Sequence, residues 1–256
     1  MIPILVFDIE TVPDAELGRR LGFEGDDLQV AEAMLARRTE ETGSTFLPLE
    51  QHRIVAISTL LRSGDQLQVW SLGAVDSPED DLIRRFFSGI DRLRPTLVSW
   101  NGSGFDLPVL HYRMLRHGIP SPTYWDSGDR DRDFRWNNYL NRYHARHLDL
   151  MDVLSAYQGR GRASLEHVAL LLGLPGKLGM GGEQVFQYWR DGRIAEIRSY
   201  CETDVLNTYL IWLRFELIRG QLTAGELATE HARVREWLAE HAEPHWRQYA
   251  AAWTVA

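Results

Sequence analysis

The chain has 256 residues, 44% of them hydrophobic and 25% charged, which is enough to bury a core in one large domain or two small ones. Its 28 basic and 36 acidic side chains give a net charge of −8, which excludes a strongly basic nucleic-acid-binding protein but not a local basic path. A single cysteine, Cys201, excludes an internal disulfide framework and a cysteine-rich metal cluster. The apolar start of the chain has no basic residue before Asp8, and no apolar run elsewhere reaches the roughly 20 residues of a membrane span, so we expect a soluble cytoplasmic protein with no membrane partner.

The first part of the chain alternates apolar and polar segments. Residues 2–8 form a near-continuous apolar run, which predicts a strand buried on both faces in the middle of a sheet. Residues 14–43 have a polar and mostly helical pattern. Two more apolar runs, 53–62 and 66–72, flank a turn-like break and predict a hairpin.

A helix and a strand–loop–helix unit follow the hairpin. Ser77 is predicted to cap a helix over 78–93, which has a proline at its first position. Residues 96–100 predict a short strand, and a glycine-containing loop leads from it to a helix over 106–117. This succession is typical of an α/β sheet.

The remainder of the chain is irregular and then helical. Residues 118–147 are aromatic and rich in arginine, without a regular period, whereas the pattern from Ser164 onward is mainly helical. The sequence contains no repeat or linker. We therefore expect one domain over 1–220, with a helical C-terminal extension over 221–256 packed on it.

Asp8 and Glu10 form the first acidic motif that suggests chemistry. Residues i and i+2 of a strand share a face, so both carboxylates project together from the end of the predicted strand, while Ile9 faces the other side. Two such carboxylates repel each other and lose water, and they persist only if they are protonated or neutralised by a cation. The alternative is a pair of solvated acids at a strand end.

Two further motifs also allow both a functional and a purely structural interpretation. Asp106 begins the predicted helix 106–117 and is either an ordinary N-cap or a ligand at the carboxyl end of a strand, where α/β proteins bind their ligands. Tyr200 and Asp204 lie four residues apart on a helix that begins near Ile194, so they share one face, while Glu202 points elsewhere. That pair either forms a structural hydrogen bond or belongs to a site.

Together these motifs resemble the DEDD superfamily of 3′–5′ exonucleases, in its tyrosine-bearing branch, because Ser199 stands where the other branch carries a histidine. The surrounding sequence resembles the predicted 3′–5′ exonucleases related to the proofreading domain of family B DNA polymerases. Five blocks carry the resemblance: FDIETVPD (7–14), SWNGSGFDLPVL (99–110), HLDLMDVLS (147–155), LGLPGK (172–177) and YCETDVLNTYLIWLR (200–214). The resemblance spans about residues 1–220, and neither 15–45 nor the tail after Gly220 matches a motif.

The resemblance implies a fold and a reaction. The fold is α/β, with an RNase H-like mixed sheet flanked by helices and a helical C-terminal extension. The catalytic residues are Asp8, Glu10, Asp106, Tyr200 and Asp204, and the four carboxylates bind two divalent ions, Mg²⁺ or Mn²⁺, which prefer oxygen ligands. Tyr200 positions the attacking water, since a phenol with a pKa near 10 is a poor base at neutral pH. The implied reaction is release of 5′-mononucleotides from the 3′ end of mainly single-stranded DNA.

Substrate contacts are expected around the same motifs. Ile9, Thr11, Asn101 and Phe105 resemble the residues that surround the terminal nucleotide in related enzymes, although Phe105 alone also suits core packing. Lys177 is the one lysine in a chain with 27 arginines, which suggests a place for a compact ammonium beside a phosphate. Retention by chance is the alternative.

Arginines and aromatic residues alternate over 130–147. This mixture suits an unpaired nucleic-acid strand, and a partly packed loop is an equal alternative. His111, His144 and His147 lack the spacing of a zinc site and are interpreted as structural or surface residues.

Two other functions fit parts of the sequence. One is a 3′–5′ exoribonuclease resembling ribonuclease D, although the second helical domain of those enzymes is not evident. The other is a catalytically silent RNase H-like module that only binds nucleic acid. The expected partner is a single-stranded or 3′-tailed nucleic acid, with DNA favoured over RNA.

Overall fold

The computed structural model describes residues 2–254, which form one mixed sheet and ten α-helices. The strands are β1 (Ile4–Pro13), β2 (His52–Ser63), β3 (Gln66–Ser71), β4 (Thr96–Ser99) and β5 (His147–Asp149). The helices are α1 (Ala15–Arg20), α2 (Asp27–Thr42), α3 (Glu79–Leu93), α4 (Asp106–His117), α5 (Leu150–Leu154), α6 (Leu165–Leu171), α7 (Val185–Arg190), α8 (Ile194–Ile218), α9 (Ala224–Glu240) and α10 (Pro244–Ala252).

The strand order across the sheet is β3-β2-β1-β4-β5, with β1 at the centre. β1 pairs with β2 in antiparallel orientation and with β4 in parallel orientation, and the pairs β2–β3 and β4–β5 are antiparallel and parallel, respectively. Helices cover both faces. This is the RNase H-like mixed sheet that the sequence predicted, with its helical C-terminus.

β1 runs further than the sequence predicted. Its parallel pairing with β4 stops at Val6, opposite Val98, but its antiparallel pairing with β2 continues to Pro13 across a bulge after Glu10. The prediction that the strand ends at Asp8 and Glu10 is therefore wrong. Because β4 has already ended, Asp8 and Glu10 lie on a strand that is open on one side.

The two faces of the sheet build separate hydrophobic cores. Leu5, Phe7 and Ile9 of β1 pack toward α3 and α4 on one face. Val6 packs on the other face with α8 and the C-terminal helices. Since side chains alternate along a strand, Asp8 and Glu10 share the face of Val6 and point toward α8.

Other sequence predictions differ from the structure in detail. Helix α3 begins at Glu79, so Ser77 does not cap it. The Ser77 hydroxyl instead accepts a hydrogen bond from the backbone N–H of Ala74, at 2.9 Å. β5 was not predicted, because it has only three residues, and the sequence interpretation assigned its first residue to the irregular segment. No helix within residues 2–254 is long and apolar enough to cross a membrane.

Candidate active site

The sheet and two helices bring the carboxylates of the three predicted motifs together. Asp8 and Glu10 lie on β1, just beyond the end of β4, and Asp106 begins α4, which follows β4 after a six-residue loop. The Oδ1 atom of Asp106 accepts a hydrogen bond from the backbone N–H of Ile9, at 3.1 Å. This bond holds the Asp106 carboxylate against β1 at Ile9, the residue between Asp8 and Glu10.

Helix α8 supplies the last carboxylate from the opposite layer. It packs across β1 and β2, and its residues Tyr200 and Asp204 are both buried. The helix begins at Ile194, as predicted from the sequence. Glu202 points away, as expected, and accepts hydrogen bonds from Ser71 and His245.

The electrostatics of this cluster disfavour four charged carboxylates. Burial, and then the charges of neighbouring carboxylates, raises the pKa of Asp8 and Glu10 well above their usual values. Burial likewise raises the pKa of Asp106 to about 7 and that of Asp204 to about 6. Within residues 2–254 none of the four is in an ion pair with an arginine, histidine or lysine side chain.

The two carboxylates of the closest donor group fit a hard divalent cation, whereas its third member, the Cys201 thiol, is a soft ligand. Asp8, Glu10 and Cys201 place one ligand atom each within 4.8 Å of one another. The buried Oδ1 atom of Asp204 has no hydrogen-bond partner within residues 2–254, and a buried acceptor without a partner is costly unless a ligand completes it. The Cys201 thiol donates to the Oδ2 atom of Asp8 at 3.4 Å, and burial raises its pKa, so it stands as a neutral donor beside the carboxylates.

Lys177 lies beside this cluster. Its Nζ atom is 5.5 Å from the centroid of the Tyr200 ring, and its positive charge opposes the rise in the pKa of Glu10 and Asp204. The chain's only lysine therefore lies at the carboxylates. Burial also raises the pKa of the Tyr200 phenol, which keeps that side chain protonated.

The predicted substrate-contacting residues of β1 and α4 meet an aromatic cluster that the sequence did not reveal. The Thr11 hydroxyl is 2.8 Å from Nδ1 of His52, and the rings of His52 and Phe105 are 5.1 Å apart. Phe46 contacts both rings and remains 54% exposed. Ile9 contributes only its backbone here, because its side chain is buried in the core beneath α3 and α4.

Asn101 is positioned by a carboxylate that sequence analysis missed. Its backbone lies in the left-handed region, with φ of 65°. The two oxygens of Asp149 accept hydrogen bonds from the N–H groups of Asn101 and Ser103, each at 2.9 Å. A Cβ atom at Gly102 would lie 2.3 Å from the Ser99 hydroxyl, so the loop needs glycine to pass the sheet closely. The block HLDLMDVLS contains Asp149, but nothing in its spacing indicates this role.

The aromatic and arginine-rich segment 130–147 divides into two parts. Phe134 and Tyr139 are buried, and Arg146 stacks on Phe134 at 4.0 Å and donates to a backbone carbonyl, so these residues are structural. Trp136 and Tyr143 are 81% and 69% exposed.

The three histidines have structural contacts. His147 bonds to the Ser99 hydroxyl at 2.8 Å, and His111 bonds to the Tyr124 hydroxyl at 2.8 Å. Burial lowers the pKa of both to about 4, so they are neutral. His144 accepts a backbone N–H of the same irregular segment, at 3.0 Å.

Comparison with protein families decides the affiliation. Residues 44–253 match the family described as predicted 3′–5′ exonuclease related to the exonuclease domain of PolB. The chain belongs to this family. The match includes Asp106, Tyr200 and Asp204 and extends through α9 and α10, beyond the range of the sequence motifs. No curated protein matches the chain.

The family match does not cover β1, so the place of Asp8 and Glu10 in the site depends on the geometry of the structure. Asp8 and Glu10 precede the matched range, yet β1 is the central strand and its carboxylates face those of α4 and α8. The exonuclease family implies a nucleic-acid substrate.

Proposed function

We propose that this exonuclease uses two divalent metal ions, Mg²⁺ or Mn²⁺, to hydrolyse single-stranded DNA from its 3′ end and release 5′-mononucleotides. The observation that carries the proposal is the cluster of Asp8, Glu10, Asp106 and Asp204, in which Asp8 is half-buried and the other three are buried. Their raised pKa values mean that the charged form needs a compensating cation. Carboxylate oxygens are the ligands that Mg²⁺ and Mn²⁺ prefer.

Each carboxylate has a separate part in this proposal. Asp8, Glu10 and Asp204 would hold one ion, and Asp8 would also reach the second ion, with Asp106 close to it. When bound, the two ions activate a water and stabilise the leaving oxygen of an in-line displacement.

The residues around the carboxylates orient the water and the strand end. Tyr200 stays protonated and lies on the face of Asp204, so its hydroxyl is suited to orient the attacking water. Lys177 places a positive charge near the same phenol, where it would contact the scissile phosphate. Thr11, Asn101 and Phe105 would surround the terminal nucleotide.

The aromatic cluster of Phe46, His52 and Phe105 supports an unpaired strand end. Aromatic rings provide stacking surfaces for bases that are not engaged in a duplex. Preference for DNA is supported by the relation of the family to the exonuclease domain of PolB.

The test uses 5′-labelled single-stranded, 3′-tailed and blunt substrates, each as DNA and as RNA, with Mg²⁺ or Mn²⁺. We expect a ladder that shortens from the 3′ end, fastest on single-stranded DNA, and no product in the presence of a chelator. Asp8→Asn and Asp204→Asn should each reduce the rate by at least about a hundredfold. Asp76→Asn, at an exposed position, is the matched control.

Three results would contradict parts of the proposal. Undiminished cleavage by either site variant contradicts the metal assignment. Faster cleavage of RNA than of DNA contradicts the substrate. Strand binding and metal binding without cleavage by the wild type identify a silent binding module instead.

A further inference from the structure

A second cluster of exposed aromatic side chains lies outside the site. The rings of Tyr143 and Tyr157 meet edge to face, with their centroids 4.9 Å apart, and the guanidinium of Arg142 lies 5.8 Å and 5.2 Å from these two centroids. Tyr143 is 69% exposed and Tyr157 is 38% exposed. We name Arg142, Tyr143 and Tyr157 the tyrosine platform.

Buried contacts hold the platform in place. Arg142 and Arg162 each donate to a different oxygen of Asp152, at 2.7 Å and 3.0 Å, and Asp152 is only 2% exposed. The N–H of Tyr157 donates to the carbonyl of Asp152 at 2.7 Å. Ala156 and Tyr157 both have left-handed backbones, with φ of 52° and 61°, which residues other than glycine rarely adopt. Such strain persists where surrounding contacts impose it, and it is commonest at functional sites.

An open cleft of about 280 Å³ lies between Arg142 of the platform and the loop that leads to Phe105 and Asp106. One wall contains Ser103, Gly104 and Leu107, from the segment that carries Phe105 and Asp106. The opposite wall contains Arg142, Asp152 and Arg162. The volume is close to the lower limit of small-molecule pockets, about 300 Å³. A strand that left the active site along this cleft would pass Arg142 and Arg162 before it reached the rings of Tyr143 and Tyr157.

The charge of this region is opposite to that of the whole protein. Residues 132–162 contain six arginines and three aspartates, in a chain with a net charge of −8. Two of those aspartates, Asp149 and Asp152, are buried and engaged in hydrogen bonds. Asp152 pairs with both Arg142 and Arg162, so these three side chains together carry one net positive charge. The segment as a whole keeps a positive balance, which complements a phosphate backbone.

We propose that the tyrosine platform binds a nucleotide of the single strand upstream of the 3′ end, with its base stacked on Tyr143 and its phosphate directed to Arg142 and Arg162. The proposal rests on the exonuclease function proposed above, since it assigns the path of that substrate. Stacking on a tyrosine face is independent of base identity, so the platform would hold the strand while successive 3′ nucleotides are removed.

Oligothymidylates and oligouridylates of two to ten nucleotides test the path, because only the longer strands reach both sites. We expect the wild-type KM to fall with length. Tyr143→Ala should raise the KM of the decamer about tenfold and leave both the KM of the dinucleotide and kcat unchanged. Tyr143→Trp should retain the wild-type decamer KM, because tryptophan also stacks. Tyr112→Ala, at an exposed tyrosine of α4, is the matched control and should change neither KM.

The outcomes separate the platform from the nuclease. If Tyr143→Ala leaves the decamer KM unchanged, or raises the KM of dinucleotide and decamer equally, the platform proposal is overturned while the exonuclease stands. If the wild type cleaves neither strand, the proposed function fails, and anisotropy of the labelled decamer without metal still tests the platform. About tenfold weaker binding by Tyr143→Ala then supports it, and equal binding overturns it. Melting temperatures within about 2 °C of the wild type establish that each variant is folded.

Discussion

Asp106 joins two parts of the candidate site through a single carboxylate. It begins α4, and its Oδ1 atom accepts the N–H of Ile9 between Asp8 and Glu10. That bond is made at the cost of burying a charge, because Asp106 is only 3% exposed and has no cationic partner within residues 2–254. A residue placed in this way serves the site at the expense of stability.

The same residue predicts how stability depends on pH. Burial raises the pKa of Asp106 to about 7 in the folded protein, whereas an unfolded aspartate titrates near 4. A raised folded-state pKa contributes stability that is fully present below the unfolded value and is lost as the pH rises through the folded value. We therefore expect the metal-free protein to lose this contribution between about pH 4 and pH 7, and Mg²⁺ to restore it at pH 8. Urea denaturation at pH 5 and pH 8, with and without Mg²⁺, measures the effect.

Asp106→Asn isolates that contribution. At pH 8 without metal, the variant should be more stable than the wild type by roughly 2–4 kcal/mol, from about 1.4 kcal/mol for each unit of raised pKa. At pH 4 the two proteins should be equally stable, and at pH 8 the variant should gain less stability from Mg²⁺ than the wild type, because it keeps the carboxylates of the first ion only. A variant that is less stable at pH 8 would show that the carboxylate charge is already compensated within the protein.

Asp149 predicts a positioning effect on the adjacent loop. It accepts the N–H groups of Asn101 and Ser103 and also caps α5, so an amide in its place loses acceptors for one of these contacts. We expect Asp149→Asn to reduce activity about tenfold to a hundredfold, because a small displacement of the Asn101 loop misplaces the substrate, and to destabilise the protein by about 1–2 kcal/mol. Asp131 likewise caps the single 3-10 turn Arg132–Phe134, so Asp131→Asn is the control and should keep full activity. Equal activity of both variants would remove Asp149 from the site.

Helix α8 connects the site with the C-terminal part of the chain. Tyr200 and Asp204 lie on it, and three residues further Asn207 donates to the carbonyl of Gly176, next to Lys177, at 3.0 Å. The amide oxygen of Asn207 accepts the hydroxyl of Tyr249 in α10, at 2.7 Å. A C-terminal helix thus fixes the loop that places the lysine.

Tyr249→Phe tests this connection. Removing the hydroxyl leaves a buried acceptor on Asn207 without its partner, at a cost of about 1–2 kcal/mol in the free energy of unfolding. It also loosens the loop at Gly176, so the substrate KM should rise about threefold to tenfold. Tyr209→Phe, on α8, removes a buried hydroxyl that donates to Glu230 instead, and it should destabilise the protein without changing KM. Equal KM values in the two variants would contradict the connection.

Local sequence patterns predicted the helices and strands more accurately than they predicted the contacts between them. Helices α4 and α8 were predicted because the start and the hydrophobic period of a helix depend on residues that are neighbours in the sequence. The end of β1 was missed because it depends on β2, which is remote in the sequence and continues past the end of β4. Phe46 and His52 were missed for a related reason: they reach Phe105 only through the folded chain, and neither belongs to a motif.

The charges of the whole molecule are distributed in the way that its proposed chemistry requires. The net charge of −8 includes the four carboxylates of the site, which would be neutralised in part by two divalent ions. The arginine-rich segment 132–162 lines a cleft together with the loop that leads to Phe105 and Asp106. Composition alone could not reveal this arrangement, because the net charge sums the negative charges of the site and the positive charges of the arginine-rich segment.

The C-terminal residues contribute to the core that supports the site. Seven side chains beyond Gly220 are buried with α8 in one hydrophobic cluster: Leu227, Val234, Trp237, Leu238, Trp246, Tyr249 and Trp253. Glu230 of α9 also pairs with Arg62 of β2, at 2.5 Å, where both side chains are largely buried. The described part of the extension is therefore packed against the sheet-facing helix rather than standing apart.

This packing predicts that residues 1–220 do not fold alone. Burying one large apolar side chain contributes about 1.5–3 kcal/mol. The loss of all seven would therefore cost as much free energy as the whole stability of a typical domain, about 5–15 kcal/mol. A chain that ends at Gly220 should give no cooperative thermal transition and no nuclease activity, whereas a chain that ends at Thr254 should match the full protein. Circular dichroism during heating measures the thermal transition of both chains, and the nuclease assay measures their activity. A cooperative transition in the shorter chain would show that α9 and α10 are a separate layer, and the site would then be complete without them.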